Sequence, residues 1–327
     1  MILAADVGGT HTRVALFEPR ELRRAAVEAT VPSRAHDNLE SIIGAFLGAG
    51  APSINAVGVA AAGPVRDGRC ETTNLPWVID AATLGRYFGT DRVWVVNDLE
   101  ATAYGIASLG PDDFAVLNTG VPHPRGNAAV IAAGTGLGEA GLYWDGKRYQ
   151  PFASEGGHAS FSPRDVCDSE LLAYLRCDWS HVSWERVLSG PGVFNLYRFL
   201  RDSGRCEEPP WLAAALGAGE PAAVISEAAR HRRTPLCEQT MDLFVSLYGA
   251  EAGNLALKLL ATGGVYVGGG IAPRNIDRMT DGGFMRAFVD KGRMGPLLER
   301  IPVRVIVNDK AALLGAARVA AERGRLV

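Results

Sequence analysis

The residues best suited to chemistry stand where apolar runs stop. Val93-Trp94-Val95-Val96 reads as a buried strand; it ends at Asn97-Asp98, and a helical pattern follows from Leu99 through Ala107. A carboxylate delivered at the carboxyl end of a buried strand lies where open α/β sheets bind their ligands. An aspartate with a reference pKa of ~3.9 is ionised at neutral pH and can accept a hydroxyl proton, so Asp98 is the candidate general base. The competing reading is that Asn97 or Asp98 only caps the helix behind it. From this stretch alone the cap is favoured.

Two glycine turns carry a second kind of chemistry. Met1 to Ala5 and Val14 to Phe17 read as strands joined through Asp6-Val7-Gly8-Gly9-Thr10. Such a turn exposes backbone N–H groups to an anion, Thr10 adds a hydroxyl, and Asp6 could hold a hydrated Mg²⁺ near bound phosphates. Ala128 to Ala133 and Ala140 to Trp144 flank Gly134-Thr135-Gly136-Leu137-Gly138 in the same strand-turn-strand order. The echo points to a duplicated core with half of a nucleotide site on each lobe; plain glycine hairpins are the alternative. Gly268-Gly269-Gly270, after the strand Val265 to Val267, would let a base and ribose lie against backbone.

A third set suits a polyol. Glu155-Gly156-Gly157-His158 offers a carboxylate, two permissive glycines and an imidazole, enough to read several hydroxyls. In isolation a glycine turn with an incidental histidine is the simpler account. Glu185 precedes a second small-residue turn, Ser189-Gly190-Pro191-Gly192. Two false motifs are rejected. Gly136, Gly138 and Gly141 spell G-x-G-x-x-G, but Leu142-Tyr143-Trp144 continues as a strand where a dinucleotide site needs a helix. Gly141 to Lys147 nearly spells a P-loop, yet Arg148 stands where Ser or Thr is required, so Asp145-Gly146 is read as a hairpin turn.

The elements that must position these groups alternate in an α/β manner. Helices are expected over Pro32 to Gly50, Ala81 to Phe88, Val193 to Leu200, Pro235 to Leu260 and Ala311 to Arg323, with strands at Ile54 to Ala61 and Val303 to Val307. Gly204 to Pro221 reads as a surface connection, and Asn74-Leu75-Pro76-Trp77 as either a pocket wall or a link. The 327 residues suffice for two domains, and 47% hydrophobic with 21% charged residues marks a globular chain. A net charge of -3 and no long basic run argue against a nucleic-acid partner, Arg230-His231-Arg232-Arg233 being short enough for a solvated helix end. Five cysteines without a CxxC pair argue for reduced thiols in the cytoplasm, not a disulfide frame or a zinc knuckle. No signal peptide is expected, and no apolar run approaches the ~20 residues that span a bilayer.

Seven segments together resemble the bacterial-type glucokinases of the actin-like, sugar kinase and heat-shock ATPase superfamily. They are Asp6 to Thr10, Thr73-Asn74-Leu75-Pro76-Trp77, Asn97 to Ala101, Gly134 to Gly138, Glu155 to His158, Glu185 to Gly192 and Gly268 to Ile271. The resemblance implies a two-lobed, actin-like (ribonuclease H-like) α/β sugar kinase fold. Residues 1–108 and 308–327 would form a small lobe and 109–307 a large one, with the ligand cleft between them. It implies glucose and Mg-ATP as ligands, a homodimer, and Asp98 as the base toward the sugar 6-hydroxyl. Asn97, Glu155, His158, Glu185 and Asn74 would bind sugar. Asp6, Gly8, Gly9, Thr10, Gly134, Thr135 and Gly136 would hold ATP phosphates and Mg²⁺, and Gly268, Gly269 and Gly270 would face adenosine. His11, Ala133 and Ser160 depart from the family pattern, and no zinc is expected because its cysteine motif is missing after His158. A kinase for fructose, mannose or an amino sugar is the alternative, and a sugar sensor without turnover a more distant one.

Overall fold

Ile2–Val7 (β1) is buried along nearly its whole length and turns back through Gly8–Thr10 into His11–Phe17 (β2). The computed structural model describes residues 1–48, 50, 52–72, 74–121 and 123–326. Three further strands, Val27–Pro32 (β3), Ala56–Ala61 (β4) and, later, Val93–Asn97, complete a five-stranded sheet. Three short strands intervene, Val65–Arg66 (β5), Arg69–Glu71 (β6) and Val78–Asp80 (β7), so Val93–Asn97 is β8. The sheet order is β3-β2-β1-β4-β8, antiparallel on the β2 side of β1 and parallel through β4 to β8.

The later strands are Phe114–Asn118 (β9), Ala128–Ala133 (β10), Leu137–Trp144 (β11), Tyr149–Ser154 (β12), Gly264–Gly268 (β13) and Val303–Ile306 (β14). Their order is β12-β11-β10-β13-β14-β9. β10 runs antiparallel to β11 and parallel to β13, which runs parallel to β14. The series β2-β1-β4-β8 and β11-β10-β13-β14 therefore share one pattern of directions, as the two glycine turns suggest. Leu142-Tyr143-Trp144 is strand, and Gly146 has the positive φ of 98° that a tight hairpin turn asks for.

The chain divides into two compact units. One holds Met1–Asp113, Gln150–Ala153 and Asn308–Val327, the other Phe114–Tyr149 and Ser154–Val307. In the first, the helix Ala311–Arg323 packs on the helix Asp98–Gly105 and on β4 with almost no clearance. A Cβ at Gly315 would fall 1.7 Å from the Ala101 carbonyl oxygen, and one at Gly58 1.9 Å from that of Ala316. In the second, the helix Pro235–Leu259 supplies Met241, Phe244, Leu247 and Tyr248 to a core that also buries Trp184 and Tyr197.

Two expected elements differ. Pro32 to Gly50 is not one helix: Pro32 ends β3, a 3₁₀ turn covers Ser33–Ala35, and the helix is Leu39–Leu47. Asn38 sets its start by accepting the Ser41 N–H at 2.8 Å. The Ala49 end of that expectation lies outside the described residues, as does Thr73 of the Asn74 segment. Within Gly204 to Pro221, Pro210–Ala218 is helical, with proline at its first position and Leu212 buried.

Candidate active site

In the first unit the parallel strands end in register. Val7 faces Ala61, and Ala61 faces Asn97, so Asp6 and Asp98 stand at the same carboxyl edge of the sheet, on either side of β4. The sequence left open which residue caps the helix, and the answer is Asn97. Its Oδ1 accepts the Leu99 N–H at 2.9 Å, and its Nδ2 donates to the Gly63 carbonyl at 3.0 Å. Asp98 is the first helical residue, and its Oδ1 also accepts the Leu99 N–H at 2.9 Å. Burial pushes the Asp98 carboxyl up; the backbone N–H groups of Leu99 and Asp98 and the Asn97 side chain pull it back. Asp6 is pushed up to about 6, first by burial, then by the charge of Asp98, with Arg13 opposing and Asp309 adding a smaller push. Arg13 is itself bonded to the Asp309 carboxylate and carbonyl.

The N-terminal turn is pinned from outside its own hairpin. The Ser33 hydroxyl donates to the Gly8 carbonyl at 2.7 Å and accepts from Thr12 Oγ1 at 2.9 Å, while the Ser33 N–H donates to the Thr10 carbonyl at 2.9 Å. Gly9 lies against Asn74: an added Cβ would sit 2.6 Å from the Asn74 Cβ. Asp6, Gly8, Gly9, Thr10, Asn74, Asn97 and Asp98 thus all belong to this unit.

The second unit holds Gly134, Thr135, Gly136, Glu155, His158, Glu185, Gly268, Gly269 and Gly270. The Gly134 N–H donates to the Gly136 carbonyl at 2.8 Å, closing a tight turn. The helix Gly190–Asp202 points its N-terminus at that turn, the Gly190 N–H donating to the Gly134 carbonyl at 2.8 Å. A helix N-terminus beside exposed turn amides favours phosphate oxygens. Gly269 has φ 79°, and a Cβ there would fall 2.2 Å from the Ala133 carbonyl oxygen, so only glycine lets β13 end this close to β10. Buried Tyr248 ties the same strand ends: its oxygen accepts the Ala133 N–H at 2.9 Å and lies 3.2 Å from the carbonyls of Ile131 and Gly268.

Two short segments bring the polyol candidates together. The Trp184 N–H donates to Ala159 at 3.0 Å and the Phe161 N–H to Val182 at 2.9 Å, with Phe161 edge-on to Trp184 beneath. His158 consequently stands between two carboxylates, with Nδ1 3.9 Å from Glu185 Oε1 and Nε2 3.9 Å from Glu155 Oε2. The His158 side chain is 60% exposed and that of Glu155 79%, so their polar atoms are open to a ligand. Ser160, one of the departures noted in the sequence, has its hydroxyl 3.2 Å from His181 Nε2.

Sequence reasoning missed Arg13, Ser33, Tyr248 and Glu139, all next to predicted site residues. Arg13 stands three residues past the first glycine motif and pairs with Asp6 across the hairpin, so a charge at that hairpin position is the signal that could have found it. Nothing near Ser33 in the chain announces its reach to Gly8.

The family model described as glucokinase matches residues 3–323. A glucokinase of Nostoc punctiforme is 40% identical over 337 residues, covering 98% of this chain and 99% of that one. The crystal structure of a glucokinase from an Antarctic psychrotroph superposes with TM-score 0.85 at 31% identity, covering 98% of each chain. A ROK family glucokinase from Streptomyces griseus, solved with glucose and AMPPNP, shares the fold at TM-score 0.65 and 23% identity, covering 98% of this chain and 99% of that one.

Proposed function

The chain belongs to the glucokinase family, and on that premise we propose that it phosphorylates the 6-hydroxyl of D-glucose from Mg-ATP, with Asp98 as the base. The observation that carries the reading is the Asp98 carboxylate, fixed at the start of a helix by the Asn97 cap at the carboxyl edge of the parallel strands β1, β4 and β8.

Phosphoryl transfer asks the protein mainly for position and charge balance. Asp98 accepts the proton of the 6-hydroxyl as that oxygen attacks the γ-phosphorus, and the bond to the ADP oxygen breaks. Glu155, His158 and Glu185 bind other sugar hydroxyls, with Asn74. Asn97 joins them through its amide, which also steadies the Asp98 carboxylate. The turns at Gly8–Thr10 and Gly134–Gly136 hold ATP phosphates through backbone N–H groups, Thr10 and Thr135 adding hydroxyls. Gly268–Gly270 faces adenosine, where side chains would block its approach.

Asp6 fits a Mg²⁺ that arrives with ATP. It is a carboxylate whose negative neighbours Asp98 and Asp309 are offset by Arg13 alone, and Mg²⁺ is usually held by one or two carboxylates plus substrate phosphates. When bound, the ion offsets charge on the transferred phosphoryl group. Among the described residues no group of three or more His, Cys, Asp or Glu could hold a metal by itself. A cytoplasmic location belongs to the same reading, supported by five free thiols, and a homodimer belongs to it through the family resemblance alone. Sedimentation velocity tests the dimer.

A coupled assay for ADP release with Mg-ATP and a panel of hexoses tests the activity. Turnover should be fastest with glucose. Preference for an epimer would reassign the pocket, and glucose binding without any turnover would leave a sensor.

A further inference from the structure

Directly beneath the Glu155-Gly156-Gly157-His158 turn lies a carboxyl group that the proposed mechanism does not use. Glu139 sits on β11, three residues past Gly136, and is 1% exposed. Its Oε1 is buried without a hydrogen-bond partner. Its Oε2 presses on the turn above: a Cβ built at Gly156 would lie 2.0 Å from that oxygen, and one at Gly157 2.1 Å from the Leu137 carbonyl oxygen. Both glycines of the motif are thus explained by their seating on β11, not by ligand approach. The Glu139 main chain holds the same turn. Ser154 Oγ donates to the Glu139 carbonyl at 3.1 Å and accepts the Gly156 N–H at 3.1 Å.

The groups facing Glu139 leave little to compensate a charge on it. Glu251, wholly buried on the long helix, is the neighbour whose charge bears most on Glu139 and is already served by Asn254 Nδ2 at 2.7 Å and Lys258 Nζ at 3.1 Å. Lys291 faces Glu251 with its own ammonium disfavoured by burial and by Arg164. Tyr248, on the same helix, has its hydroxyl committed to β10 and β13. Glu139 is pushed up to about 8, chiefly by burial, then by the Glu251 charge, with Lys258 opposing. Carried as a neutral acid, it can donate from the otherwise unpartnered side toward Glu251. Ionised, it sets a second buried negative charge beside the first, and lifting the turn to admit water relieves it.

We propose that Glu139, held as a neutral carboxylic acid, is a positioning residue that seats the Glu155–His158 turn in its sugar-binding form, so that loss of one buried proton weakens sugar binding. The inference rests on reading Glu155 and His158 as sugar-binding groups.

The experiment follows glucose KM and kcat against pH in the parent, Glu139→Gln and Glu155→Ala. If only the protonated form seats the turn, the competent fraction falls once pH rises past the titration of Glu139, and glucose KM rises by up to about tenfold per pH unit beyond it while kcat moves less. Glutamine keeps the shape and a donor but has no proton to lose. Glu139→Gln should therefore match the parent near neutrality and lose the alkaline rise. A Glu139→Gln profile that tracks the parent overturns the proposal. If Glu155→Ala also leaves KM unchanged, the sugar-site reading falls; if it raises KM, only the role of Glu139 does. A measurement on the parent alone guards against a variant that does not fold. Calorimetry of glucose binding near about pH 8.5, in buffers of different ionisation enthalpy, should register net proton uptake, and none would contradict the proposal.

Discussion

Glu185 joins two loops: its Oε2 accepts the Leu137 N–H at 2.9 Å while its Oε1 lies 3.9 Å from His158 Nδ1. One carboxylate is therefore tied both to the turn assigned to phosphate and to the histidine assigned to sugar. Its side chain is 29% exposed, so the carboxylate is partly open to a ligand hydroxyl.

Glu185→Ala should accordingly impair both substrates. Losing a charge-assisted hydrogen bond of about 1.5–3 kcal/mol predicts at least a tenfold rise, about, in glucose KM, with a smaller rise for Mg-ATP. Gly136→Ala makes the same point from the other side. Its Cβ would fall 2.5 Å from Glu185 Oε2, so the carboxylate must move and both KM values should rise in a folded protein. Steady-state kinetics with each substrate varied decides. A Glu185→Ala effect confined to glucose would break the link between the loops.

Asp6→Asn should trade activity for stability. The Asp6 carboxyl titrates near 6 in the fold, above its ordinary 3.8, so folding disfavours its charged form. A raised acid contributes most when it is protonated in both states; that contribution is lost as pH climbs from about 4 through about 6. At neutral pH the charge is a net burden that asparagine removes. Urea midpoints near pH 7 should rise, while kcat/KM for Mg-ATP should drop by about tenfold or more. A variant that is both less stable and fully active would contradict this.

Gly315→Ala probes the packing that sets Asp98. With a Cβ placed 1.7 Å from the Ala101 carbonyl oxygen, the C-terminal helix must back away from the Asp98 helix. Overpacking of this kind costs about 1–3 kcal/mol. We expect a lower thermal midpoint together with a lower kcat, read by calorimetry and assay. A lower midpoint with unchanged kcat would show that Asp98 does not depend on this contact.

How far the sequence reveals these features depends on how local their causes are. β8 and the helix Ala311–Arg323 are legible because their apolar periodicity is carried by contiguous residues. The site loops are legible for a similar reason, since each is a short run of chemically distinctive residues. β3 escaped notice because it is an edge strand whose Val27, Ala29 and Val31 are at most half-buried, so its pairing with β2 leaves only a weak pattern. The helix Pro210–Ala218 was hidden by the flanking Pro and Gly, which mark a loop unless the alanines between them are weighed. Ser33 and Glu139 were out of reach, because what defines them is a partner distant in the chain: Gly8 for one, Gly156 and Glu251 for the other.

The most direct test of the central claim is Asp98→Asn, with kcat measured by ADP release and the glucose Kd by calorimetry on the same preparation. Asparagine keeps the side-chain shape and an oxygen for the Leu99 N–H but cannot take the hydroxyl proton. General-base catalysis predicts a loss of about 10²–10⁴ in kcat. It also predicts a Kd within about threefold of the parent, since losing an interaction made only in the transition state leaves ground-state binding largely intact. A variant that turns over at near-parental kcat would remove Asp98 from the chemistry and with it the mechanism proposed for this chain.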